Sequence, residues 1–494
     1  MIRTMMMMMM MEMETPMMVM IMVAVPLLLA WVMMTSYTGM NFPGIALPQL
    51  TNPDTDDVYL EPHTVALFVS TIHVGTVAGS LVSGHLLVHL GRRTTILIGL
   101  PLGAAAWLGL VFFSHVWILM LCRVLTGCSF ALVKQPTVMY MVEVAHESLR
   151  GRLVGLLCIA KEIGLFSSYV LGSLMLTWRQ ICIIYACIMV PPMIGIYFLP
   201  SSPRWLTTRG RVNEAHKSLV FFRGRRGNVD AELQEVVRQA EDAGGANKGT
   251  WQQLRLLTKP GTLRTFLLIL SIMLLYPLQG SMLVYPYLAV ILDTPGAPIN
   301  LALSSVLCST CKIFGTIVHL ITVDYFGRVP IIAVGNSFIS ICTAAYGYFH
   351  LLGDNTDGIS WLPMASISAL MFLTGTVSPL MDVLQGELIP NACRAVTIPI
   401  LSCLNGMVGF AAVQMFPYLT DILGMHAMFG LFTVFNLIAA LIGVTAVPET
   451  RGLTLEAIND LVGSSKGHKS PRCQRRAVAG PNTAEECIKT SQSV

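Results

Sequence analysis

Lys134, Glu162, Lys312 and Asn405 are polar residues set in stretches where nearly every neighbour is apolar. Two ammonium groups, a carboxylate and an amide can pair charges or hydrogen-bond a polar solute. Deep inside an apolar segment such groups are costly, so they mark a pathway or a buried structural pair. Their depth follows from helical rise, about 1.5 Å per residue, counted from charged landmarks at the ends of the apolar stretches. Lys134 then lies about 13 Å in from Glu143, Glu162 about 15 Å from Arg152, Lys312 about 18 Å from Asp324 and Asn405 about 16 Å from Arg394. All four fall near the centre of a hydrocarbon layer about 30 Å thick. A cavity there and a set of structural partners both remain open; snorkelling from mid-depth is a long reach.

The segments that must position these groups are read from composition. Of 494 residues, 54% are apolar and only 12% charged, about half the charge of an ordinary soluble chain. Disordered and nucleic-acid-coating proteins are excluded. Twelve stretches are long enough to cross a bilayer. The first six run from Met17 to Met40, Thr64 to Leu87, Thr94 to Phe113, Val116 to Tyr140, Leu153 to Thr177 and Ile181 to Leu199. The other six run from Thr265 to Leu292, Ile299 to Ile321, Val329 to Leu351, Trp361 to Gln385, Ala395 to Leu419 and Met425 to Val447. The apolar start is too long and unbroken for a cleaved signal and is read as a retained first helix. The expected division is a Met-rich terminus (1–16), a six-helix bundle (17–199), a helical linker (200–264), a second bundle (265–447) and a tail (448–494).

Charge separates the two sides. Loops after the odd-numbered spans hold one basic residue, Arg179, and the acids Asp54, Asp56, Asp57, Glu61, Asp293, Asp354, Asp357 and Asp421. The other side carries Arg92, Arg93, Arg150, Arg152, Arg328, Arg394 and the basic linker, so the positive-inside rule places both termini in the cytoplasm. In the linker, EAHKSLVFFRG and DAELQEVVRQAED repeat apolar residues at helical spacing and predict short surface helices. The run RGRRG from Arg223 reads as a solvated face near anionic lipid rather than a nucleic-acid site. The tail, with Arg472, Arg475 and Arg476, reads as polar sequence without fixed structure. Most of the twelve cysteines lie in apolar stretches, where they act as small hydrophobes. Cys308 and Cys311 lack a second ligand pair for a metal.

Three landmarks recur in order. GRR at Gly91 is matched by GR at Gly327, Glu143 with Arg150 by Glu387 with Arg394, and PSSPR from Pro200 by PETRG from Pro448, at offsets of 236, 244 and 248 residues. One six-helix unit is used twice, related by an axis along the membrane normal. The charged landmarks suit a gate: Arg92 or Arg93 can meet Glu143 or Glu387 where the bundles close, and Arg150, Asp324, Arg328 and Arg394 complete the set. Setting topology is the alternative role for the arginines.

These landmarks resemble the sugar porter family of the major facilitator superfamily. PTVMYMVE ending at Glu143, SLRG from Ser148, SPRWL from Ser202 and PETRGLTLEAI from Pro448 look like that family's signatures, and NFPGIALPQL from Asn41 looks most like the insect facilitated trehalose transporters. The resemblance implies an all-α membrane protein with the major facilitator fold: twelve transmembrane helices as two pseudo-symmetric six-helix bundles, in the plasma membrane. It implies facilitated transport of a small-molecule solute, a hexose or trehalose-like sugar. It also implies substrate contacts at Asn405 and Glu162, where the family has an Asn and commonly a Gln, and at Gln279 and Asn41. Departures accompany it. The acid usual three residues before the first GR is Val88, and the seventh helix reads YPLQGSM in place of QQxSGxN, though Pro277 and Gly280 could still break that helix and free backbone groups. The tenth reads SPLMD, with Asp382 at the usual Trp.

No Ser, His and acid set, metal cluster or phosphate loop argues for an enzyme, and His73 and His319 read as isolated, packed residues. No cofactor and no nucleic-acid partner are expected, and a monomer in lipid suffices. Glu162 reads as the only deep acid, which favours passive transport. Two rivals stay open: a carrier of an organic anion, because Lys134, Lys161 and Lys312 outnumber Glu162 at depth, and a non-transporting sensor or scaffold. For a neutral sugar, Glu162, desolvation or cavity water must neutralise the lysines.

Overall fold

The computed structural model describes residues 16–53, 57–146, 149–224, 229–242, 255, 257, 260–292, 300–353, 359–389 and 393–449. The Met-rich start, most of the tail, Asp54, Asp56 and most of RGRRG lie outside them. The described residues are helical, with no strand among them. The first half comprises α1 (Pro16–Leu50), α2 (Pro62–His89), α3 (Gly91–Phe112), α4 (Val116–Val144), α5 (Arg150–Ser173) and α6 (Trp178–Phe198). Three short helices follow, α7 (Pro203–Thr208), α8 (Val212–Arg223) and α9 (Val229–Asp242). Two of these are the linker helices predicted from the repeated apolar spacing. The second half comprises α10 (Pro260–Leu278), α11 (Ser281–Leu292), α12 (Leu301–Phe326), α13 (Arg328–Leu351), α14 (Leu362–Val377), α15 (Pro379–Leu388) and α16 (Arg394–Thr445).

Local signals set several ends. Thr177 and Gln180 form a reciprocal capping box at α6, and Ser202 and Asn300 cap α7 and α12 through their side-chain oxygens. Eleven described helical stretches are long and apolar enough to cross a membrane. The last of these, Val396–Thr445, has 50 residues, about twice what one span needs. It contains two spans. Gly424 at φ +80° and ψ 159° interrupts its helical backbone, a conformation glycine adopts without penalty, and this break falls between the predicted eleventh and twelfth spans. The seventh and tenth spans are each made of two helices, α10 with α11, broken at Gln279–Gly280, and α14 with α15, which meet at Ser378.

Within the first half α2 packs on α4 and α3 on α4 and α6; in the second, α12 packs on α14 and α13 on α14 and α16. The halves meet where α5 lies against α12 and α2 against the first part of α16. Large apolar side chains such as Trp117, Ile194, Phe314 and Leu441 remain exposed around the outside, the surface a hydrocarbon solvent favours. At the acidic end, Arg179 donates to both oxygens of Asp57 at 2.9 and 2.6 Å. That contact, more than any other influence, holds the Asp57 carboxyl below the usual carboxylate range. The lone basic residue of that side thus ties α6 to the loop after α1.

Candidate functional site

A cavity with about 1100 Å³ of empty space, its opening included, lies between the halves. Its wall comes from α1, α2, α4 and α5 of the first half and from α10, α11, α12, α15 and α16 of the second. Lys134, Lys312, Asn405 and Asp382, named from the sequence, all line it, together with Lys161, Gln385, Tyr37, Tyr276, Tyr285 and His73. Contacts between the halves stand on either side. Tyr169 donates to the Tyr285 carbonyl at 2.7 Å and Ser70 to Gln414 at 2.7 Å toward the acidic end, while Gln135 donates to Ser402.

Charges are paired across the halves. The Lys134 ammonium on α4 lies 3.4 Å from Asp382 on α15, and Lys312 on α12 lies 3.1 Å from Glu162 on α5. Glu162 meets Lys161 as well, at 3.4 Å through its other oxygen. Lys161 and Lys312 are among the residues that line the cavity, and Glu162 is not. Lys312 also lies 3.9 Å from the centre of the Tyr285 ring, a cation over an aromatic face. Glu162 is therefore not the only deep acid: Asp382 is a second one. Ser378, whose backbone keeps right-handed helical angles, joins α14 to α15; Pro379 begins α15, and its first turn carries Asp382 to the cavity.

Asn405 is half-committed. Its amide donates to the Met273 carbonyl at 2.6 Å, bracing α16 against α10. The expected break of the seventh helix occurs, at Gln279 and Gly280, where φ is +85° and a Cβ would come 2.6 Å from Phe432. Its freed backbone does not open onto the cavity at that point. Asn436 donates to the Gln279 carbonyl at 3.1 Å, and the Gln279 side chain donates to Asn336 at 3.3 Å. Gln279 and Asn41 are not among the lining residues. Asn41 is buried and donates to the Leu165 carbonyl at 3.0 Å, tying α1 to α5. His73 lines the cavity although it reads as a packed residue, whereas His319 bonds the Thr376 carbonyl at 2.7 Å between α12 and α14.

Sequence reasoning missed Arg123, which is fully buried on α4. It donates to the Gly39 carbonyl at 2.7 Å and lies 5.8 and 5.4 Å from the Phe42 and Phe68 rings. Its signal was available, a lone arginine seven residues into an apolar span. Gln385, three residues after Asp382 and so on the same helix face, was equally legible.

Several of the gate residues make contacts within their own halves. Arg92 pairs with Glu143 at 2.7 Å, joining α3 to α4, and Ser202 donates to the same carboxylate. Arg93 donates to the carbonyls of Ile196 and Tyr197. Arg150 donates to the Val142 carbonyl at 3.1 Å and Arg394 to that of Gly386 at 2.5 Å, the same contact at the same offset in both halves. Burial, with the Arg204 charge next in weight, lowers the Arg394 guanidinium to about 10. The carboxylate of Glu449 accepts from the backbone N–H groups of Arg328 and Val329, each at 3.1 Å. The Arg92–Glu143 pair named from the sequence is formed, and it joins two helices of the first half. The side chains of Asp324 and Glu387 lie outside the described residues. Among the described residues no group of three His, Cys, Asp or Glu could hold a metal ion.

A family model described as Sugar (and other) transporter matches residues 10–462. The facilitated trehalose transporter Tret1 of Culex quinquefasciatus is 28% identical over 386 residues, which cover 77% of this chain and 74% of that one. The Tret1 of Drosophila virilis is 27% identical over 84% of this chain, and the chain spans 45% of that longer relative. Among solved structures, the proton:xylose symporter XylE bound to 6-bromo-6-deoxy-D-glucose has a TM-score of 0.73 at 20% identity, with 89% of this chain and 98% of that one covered. The partially occluded inward-open form of XylE from E. coli has a TM-score of 0.71 at 16% identity, covering 87% and 100%. At these identities the structures speak for the fold, that of the major facilitator transporters, and the family model speaks for the sequence. This multi-pass membrane protein belongs to the sugar (and other) transporter family.

Proposed function

We propose that the protein carries a sugar across the membrane by alternating access, with residues 17–199 and 265–447 rocking as two bundles about the central cavity. The observation that carries this is the cavity itself, walled by both halves, which also touch one another beside it. Asn405, Gln385 and Tyr276 offer donors and acceptors suited to hydroxyl groups, and Asn405 stands where the family has a sugar-contacting Asn. Every step is binding and helix movement, so no cofactor or covalent chemistry is invoked. Uptake of radiolabelled trehalose and D-glucose by proteoliposomes tests the reading. Asn405→Ala is expected to lower uptake about tenfold, the effect of roughly 1.4 kcal/mol of lost polar contact. Absence of uptake by the folded parent protein for both sugars leaves an anion carrier or a sensor or scaffold in its place.

The reading extends to sidedness: a plasma-membrane protein with both termini, the linker of 200–264 and the Arg92–Glu143 pair on the cytoplasmic side. That pair and the braces from Arg150 and Arg394 hold helix ends together so that each bundle moves as a unit. A tag after Asp56 is expected to be reached by antibody on intact cells and one after Lys248 only after permeabilisation. The opposite pattern would reverse the orientation. In the same cells Arg92→Gln is expected to raise labelling of a cysteine placed on the cytoplasmic pathway, and unchanged labelling would remove the pair from that role.

A further inference from the structure

We infer that Lys161 makes the cavity selective for a sugar that carries one acidic group, a uronate or an aldonate, over the neutral sugar of the same shape. The inference rests on the carrier reading and concerns which sugar the same site takes. Five charged side chains surround the cavity among the described residues. Lys134 and Asp382 both line it at 3.4 Å from each other and cancel. The remaining three do not cancel. Glu162 has one charge to share between Lys161 at 3.4 Å and Lys312 at 3.1 Å, which leaves one positive charge in excess.

The geometry gives that excess a direction. Glu162 is 1% exposed and does not line the cavity, while Lys161 and Lys312, at 9% and 4%, do. A solute in the cavity therefore meets two lysine side chains whose shared carboxylate is not part of the lining. The other titratable groups on the wall, Tyr37, Tyr276, Tyr285 and His73, contribute no carboxylate. An uncompensated ammonium away from water is costly, and a single carboxylate on the solute offsets it. Its hydroxyls are then left to neutral partners such as Asn405 and Gln385. A dianion would overshoot the balance, so the charge count selects a monoanion.

Competing initial rates in proteoliposomes decide this, with D-glucuronate and D-glucose as probes because they differ at one carbon. The parent protein is expected to take up glucuronate about tenfold faster than glucose at equal concentration. Lys161→Gln is expected to lower that ratio about tenfold, and Lys161→Arg, which keeps the charge, to restore most of it. A parent that prefers glucose overturns the inference and leaves the carrier reading standing; this comparison needs no variant to fold. A ratio that Lys161→Gln leaves within about twofold of the parent, in protein of equal melting temperature, overturns the role of Lys161. Uptake of neither probe overturns the inference, and the carrier reading falls with it where trehalose is not taken up either.

Discussion

Glu162→Gln is expected to lower the thermal stability of the detergent-purified protein by about 3–5 kcal/mol and to remove uptake, the cost typical of stranding a buried charge. In the parent, each oxygen of Glu162 faces an ammonium, and the carboxylate is 1% exposed. Glutamine keeps the size and one carbonyl but leaves Lys161 and Lys312 together without a counter-charge, one on each half of the protein. The variant therefore weakens the interface between α5 and α12 as well as the cavity. Adding Lys312→Met should recover part of the loss, because it removes one of the two ammoniums that glutamine strands. A double-mutant cycle on melting temperature reads that coupling. Stability equal to the parent's in the single variant would mean that Glu162 is not the counter-charge of these lysines.

The depth of that carboxylate was readable before any fold, and its partners were not. Counting helical rise from the landmark arginines and acids works because helix geometry is regular and loops pin the helix ends. It placed Lys134, Lys312 and Asn405 at one level, and the structure brings all three to one cavity. Depth says nothing of azimuth. Asn41 and Gln279 turn toward neighbouring helices and satisfy the Leu165 carbonyl and Asn336. Nor does a linear count say which residues meet across the halves. Lys134 and Asp382 are far apart in sequence, and their pairing depends on how the two bundles dock. The Arg92–Glu143 pair, by contrast, was named from the sequence and is formed, because both residues stand at helix ends of one half. The twelve-span reading came from apolar length and survived a continuous 52-residue helix, α16, because Gly424 breaks it where the charge pattern had put a loop.

Gly375→Val is expected to cost about 3 kcal/mol or more of stability and to reduce uptake further than the loss of folded protein accounts for. A Cβ at Gly375 would lie 2.2 Å from the Lys312 carbonyl oxygen and 3.1 Å from its Cγ, so α14 must move away from α12. That movement acts on the residue that pairs with Glu162. The contact has three counterparts: Gly315 approaches the Phe372 carbonyl, Gly75 that of Val124 and Gly127 that of Ile72, each with a Cβ distance of 1.9 Å. Gly75 and Gly127, with Gly79 beside the Cys128 carbonyl, thus let α2 and α4 touch backbone to backbone, and Gly315 and Gly375 do the same for α12 and α14. The repeated unit carries this device in both halves, as expected where packing rather than the hydrophobic effect holds helices together. Gly430→Ala supplies the control, because nothing lies within 4 Å of an added Cβ there. Melting temperature and uptake per folded molecule separate the two effects. A Gly375→Val protein that melts and transports like the parent would show that α12 and α14 can separate without disturbing Lys312, and that the close crossing does not set the charge pairs of the cavity.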